Sequence, residues 1–75
     1  SETYRGFEIE RTRGRYDGYY TETYEITTKT WPAGSAEEYV QYEVEGYSST
    51  YDVNPIKEDI DTAFEDFEDG YRIGD

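Results

Sequence analysis

Nineteen Asp and Glu side chains, with no His and no Cys, define the chemistry open to this chain. Carboxylates can hold a divalent cation, run hydrolysis as an acid–base pair, or present negative charge to a cationic partner. A dedicated cation loop is absent. Asp59-x-Asp61 begins as a calcium loop does, but Ala63 stands at the fifth place and Phe64 where glycine is required. Counting from Asp66 instead brings Gly70 one place too early. Zinc and thiolate sites lack their usual ligands, so the expectation is no metal and no cofactor.

Hydrolysis by paired carboxylates needs two acids of different pKa in a cleft that excludes water. A chain of 75 residues folded as one thin sheet offers little concavity. There is no glycine-rich phosphate loop, and no Ser or Thr has a His base. The expectation is therefore a binding protein without enzymatic activity.

The charge is lopsided. Of the net −12, residues 1–36 carry six acids against five bases, and residues 37–75 carry thirteen acids against Lys57 and Arg72. Such asymmetry disfavours direct contact with nucleic acid or an anionic membrane and favours a basic protein surface. No apolar run reaches the ~18 residues that would span a bilayer, and no signal-peptide pattern is visible, so the expected location is cytoplasmic, in a host cell if the protein is viral.

These carboxylates are positioned mainly by NPIKEDIDTAFEDFEDG, residues 54–70. Asn54 suits an N-cap, Pro55 the first helical position and Gly70 the position just past the end, which predicts a helix over residues 55–69. Ile56, Ile60, Ala63, Phe64 and Phe67 form one apolar stripe, and seven acids lie around the rest. Those at the C-terminal end oppose the helix dipole, at about 0.3–1 kcal/mol each when exposed. Asp61 with Glu65, and Glu65 with Asp69, repel by about 0.2–0.5 kcal/mol per pair. Repeated small penalties point to charge kept for a partner. The expected contact residues are Glu58, Asp61, Glu65, Asp66, Glu68 and Asp69, with Glu43 and Glu45 as secondary contacts. Seven carboxylates over about 22 Å of axis average one per ~3 Å, close to the ~3.4 Å per phosphate of one DNA strand.

The remaining elements form the support. Residues 3–12 alternate as a half-buried strand with Phe7, Ile9 and Arg11 on one side and Tyr4 joining the core. Asp17-Gly18 predicts a tight hairpin turn, and residues 19–31 a long second strand broken by Pro32. Residues 35–45 carry two signals. Ser35-Ala36-Glu37-Glu38 matches a capping box, whereas Val40, Tyr42 and Val44 alternate with polar residues as a strand would. A third strand over about residues 38–45 is the favoured reading, followed by a bend at Gly46 and a strand over residues 47–53. The expectation is one α+β domain over residues 1–75: an antiparallel sheet of three to four strands with one C-terminal helix across one face. Arg11, Arg13 and Arg15 have two readings, contact with phosphate or an acidic partner and, the favoured one, a solubilising row that pairs with cross-strand acids such as Glu22 and Glu25. Tyr39, Tyr47 and Tyr51 could anchor an interface, although core and sheet-surface packing is the favoured use for most of them.

Small size, extreme acidity, a Tyr-rich sheet and the acidic helix IKEDIDTAFEDFED together resemble the small inhibitor proteins of phages and other mobile elements, including DNA-mimicking anti-CRISPR proteins. The opening YRGFEIERTRGRYDGYY is similar to the first hairpin of many short phage-type domains. The resemblance implies an inhibitor that occupies a basic, nucleic-acid-binding surface, such as that of a nuclease. Two rival readings use the same residues: a halophilic domain whose acids maintain solubility, and an adaptor that binds a protein through exposed Tyr, with charge steering encounter.

Overall fold

The computed structural model describes the backbone of residues 2–73 and the side chains of residues 2–70. The chain runs β1 (Glu2–Tyr4), β2 (Phe7–Tyr16), β3 (Tyr19–Ile26), α1 (Ala36–Val44), β4 (Ser48–Thr50) and α2 (Asn54–Ile73). The four strands form one antiparallel sheet in the order β1-β2-β3-β4. An α+β architecture with a C-terminal helix against the sheet is as expected; the second helix is not.

Two tight turns shape the first half. Asp17 and Gly18 both have positive φ (51° and 83°), the backbone of a type I′ turn, and Tyr16 pairs with Tyr19 across it. The expected first strand is itself folded by a second such turn at Arg5 and Gly6 (φ 50° and 88°), which separates β1 from β2. A side chain at Gly6 would be strained by its φ and would touch the Trp31 ring at 3.4 Å. Arg5 holds the left-handed conformation without being Gly, Asn or Asp. Its guanidinium lies 4.0 Å from the centroid of Phe64 and donates to Asp61 at 3.0 Å, so tertiary contacts hold the turn.

The expected third strand over residues 38–45 is a helix, and the capping box decides it. Ser35 Oγ accepts from the Glu38 amide (3.2 Å), and the Glu38 carboxylate accepts from the Gly34 amide (3.0 Å). The i, i+4 spacing of Val40 and Val44 puts both in the core at 0% and 1% exposure. Tyr42, which strand alternation would have buried beside them, is 79% exposed. Gln41 pins the preceding loop, its Oε1 accepting from the Lys29 amide (3.3 Å) and Trp31 Nε1 (3.2 Å). With that loop over residues 27–35 held against α1, β3 stops at Ile26 instead of running to Trp31.

The strand expected over residues 47–53 is short, Ser48–Thr50, and α2 begins one residue early. The Val53 carbonyl accepts from the Lys57 amide and occupies the cap position, while Asp52 Oδ1 accepts from the Asn54 amide. At the other end the helix passes through Gly70 instead of stopping there. One core unites Phe7 and Ile9 of β2, Ile26 of β3, Val40 and Val44 of α1, and Ile56, Ile60, Ala63 and Phe64 of α2. Phe7 meets Trp31 at 5.0 Å and the edge of Phe64 at 6.1 Å.

The core fills only the base of the β2–β3 hairpin. Beyond the Ile9–Ile26 pair, both strands run on for about 24 Å to the Asp17-Gly18 turn. The extents of 55 × 20 × 16 Å and the radius of gyration of 14.4 Å record that projection; a compact chain of this length has a radius near 11 Å.

Candidate partner-binding surface

Contacts along α2 order the molecule from one end to the other. Lys57 pairs with Glu2, which lies opposite Ile9; Asp61 meets Tyr4, which lies opposite Phe7; and Phe64 meets Arg5 at the turn. The helix therefore runs away from the hairpin tip, and Glu65, Asp66, Glu68 and Asp69 lie at the far end. Helix α1 is antiparallel to it, with Tyr39 against Phe67 at 5.6 Å. Its N-terminal turn, which carries Glu37 and Glu38, thus flanks the acidic end of α2, and those two carboxylates outweigh the positive end of the α1 dipole.

At ~100° per residue the α2 acids fan over three rows. Glu58, Glu65 and Asp69 form the crest opposite the core. Asp59 and Asp66 turn toward α1, where with Glu43 and Tyr47 they line a shallow groove of about 90 Å³. Asp61 and Glu68 turn toward β1. Along the crest, Glu58 and Glu65 are about 10.5 Å apart, and Glu65 and Asp69 about 6 Å. The expected DNA-like density of one charge per ~3 Å thus holds for the helix as a whole and not for a single rail.

Two of the expected contact residues have partners within the chain. Asp61 is half-buried; both its oxygens accept from the Tyr4 hydroxyl (3.0 and 2.8 Å), and Oδ1 also receives Arg5 Nη1 at 3.0 Å. The Glu43 carboxylate beside the Tyr39 hydroxyl raises that phenol above its ordinary value of 10.0, with burial and the charge of Asp66 adding to the shift. The hydrogen bond to Asp61 raises Tyr4 in the same way, and the Glu2 carboxylate raises Lys57 above 10.5. Glu45, Glu58, Glu65, Asp66, Glu68 and Asp69 are exposed, and among the described residues no cation stands within ion-pair distance of them. Asp59 was missed as a member of the groove; its place seven residues before Asp66, two helical turns away, was the available signal.

The other surface is the projecting hairpin, whose Arg row was expected but whose reach beyond the core was missed. One face carries Phe7 and Ile9, then Arg11, Arg13 and Arg15; opposite them stand Ile26, Tyr24, Glu22 and Tyr20. Arg13 Nε reaches Glu22 at 3.3 Å, as the cross-strand reading expected, while Arg15 lies over Tyr20 at 5.1 Å. Tyr16, Tyr19 and Tyr20 at the tip are at least 74% exposed. The signal was the same-parity series Phe7-Ile9-Arg11-Arg13-Arg15, in which burial ends after Ile9.

No helix among the described residues is long and apolar enough to cross a membrane. Comparison with known protein families, with characterised proteins and with solved structures gives no match to this chain.

Proposed function

We propose that this chain is a non-enzymatic acidic binding protein that blocks a basic, nucleic-acid-binding surface of a target protein, as DNA-mimic inhibitors of the anti-CRISPR type do. One observation carries the reading. Three bases, Arg5, Arg13 and Lys57, have acidic partners within the chain, whereas Glu58, Glu65, Asp66, Glu68 and Asp69 are exposed on the outer side of α2 without one among the described residues. Like-charge repulsion there is relieved by a cationic surface, which would gain from these side chains what it gains from phosphates. The three-row fan fits a groove whose Lys and Arg stand on both walls better than it fits a flat strip.

The test is displacement of labelled duplex DNA from a panel of nucleases, RNA-guided ones included, followed by fluorescence anisotropy. A true target releases its DNA to this protein, and the apparent affinity falls roughly tenfold or more between about 50 and 200 mM salt. The variant Glu65→Lys/Glu68→Lys/Asp69→Lys keeps its circular dichroism and loses the displacement. Binding that is indifferent to salt and to this triple change would overturn the reading.

A further inference from the structure

We propose that the Arg11, Arg13 and Arg15 face of the β2–β3 hairpin docks on the acidic end of α2 in a second copy of this chain, head to tail. The face is a continuation of the core side of the sheet that neither helix covers. β4 flanks the arm over residues 23–25, and Tyr51 donates from its amide to the Glu22 carbonyl and from its hydroxyl to that of Tyr20; beyond these contacts the arm is a two-stranded ribbon, only marginally stable alone in water, so a cover over it would be stabilising. Within one chain the arm and the acidic end of α2 lie at opposite ends of the long axis, so the arm cannot fold back to supply it.

Charge selects the occupant. Pairing β2 with β2 of another copy, edge to edge and antiparallel, would set Arg rows opposite Arg rows, which is unfavourable. An acidic helix reverses that sign. Alternate residues on a strand are about 6.8 Å apart, and residues i and i+4 on a helix about 6 Å. Two neighbouring members of the Arg11, Arg13 and Arg15 row can therefore meet Glu65 and Asp69 on successive turns of α2, with Glu68 beside them for the third. Glu22, which neutralises part of Arg13, leaves the face with a net positive charge, and the exposed Tyr20 ring supplies apolar area beside it. The contact is heterologous, so it grows into open chains or closes as a ring. It uses the acids assigned above to a basic target, and a bound target would dissolve it.

Light scattering reads the mass of the intact chain at up to about 1 mM protein. The mass rises above the monomer value of 8.8 kDa near physiological salt and returns to it at about 1 M. Arg11→Glu/Arg13→Glu/Arg15→Glu remains monomeric, and so does Glu65→Lys/Glu68→Lys/Asp69→Lys. Mixed together, the two variants associate, because each now offers the charge the other lacks. The arm variant still displaces DNA from a target, which separates this contact from the proposed function. A monomer at every salt, association that survives the arm variant, or no association in the mixture would overturn the proposal. So would Arg-dependent capture of a labelled single-stranded oligonucleotide that outcompetes association, since it would assign the face to nucleic acid.

Discussion

The two ends of the β2–β3 hairpin share a backbone, a pairing partner and an alternation, yet one is core and the other is surface. At the base, Phe7, Ile9 and Ile26 are sealed under α1 and α2; further along the same face, Arg11, Arg13 and Arg15 stand in water. Period-2 patterning fixes which side of a strand faces inward, and side-chain type decides where the inside ends. The helices cover the hairpin only as far as it supplies apolar side chains.

That contrast can be broken most severely at the base. Phe7→Ala should cost about 3–5 kcal/mol, the loss typical of a fully buried ring. A core of this size supplies about as much in total, so the variant should be unfolded at 25 °C by circular dichroism. The acids of α2 sharpen the comparison next. Asp61→Lys removes the Tyr4 and Arg5 contacts and should lower stability by about 1–2 kcal/mol in a urea melt. Glu65→Lys, one turn away and exposed, should leave stability unchanged or raise it by up to ~0.5 kcal/mol. If the two changes were equal, Asp61 would be no more structural than its neighbours.

Alkaline pH also acts on the base. Tyr4, Tyr39 and Lys57 hold their protons more tightly folded than unfolded, through Asp61, Glu43 and Glu2 respectively. Their contribution is therefore complete below about pH 10 and is lost as pH rises through their elevated values. Melts between pH 8 and 11 should show stability falling only in the upper part of that range, with a shallower fall in Tyr4→Phe. The smallest effect belongs to the arm: Arg15→Ala should stay within about 0.5 kcal/mol of the parent, a value a chemical melt can bound.

Local chemistry that agreed with the fold could be read directly from the residues. Asp17-Gly18 announced its turn, Ile56 through Phe64 announced the buried stripe of α2, and the neutral first half against the acidic second half announced the polarity of the molecule. What stayed hidden depended on contacts distant in sequence. Nothing near Asp61 says that Tyr4 and Arg5 will reach it from more than fifty residues away. Val40, Tyr42 and Val44 fit a strand while Val40 and Val44 alone fit a helix, and the capping box together with Gln41, buried against Trp31 and Lys29, makes the helix the better solution. The Arg5-Gly6 turn was overlooked because Arg rarely takes a positive φ without the aromatic ring and carboxylate that fix it here.

The hairpin's reach also sets how the molecule moves. A body 55 Å long and at most 20 Å across drags more water than a sphere of equal mass. In about 1 M salt, where the chain is monomeric, it should sediment more slowly than its mass implies and yet emerge early from a sizing column, as a heavier species would.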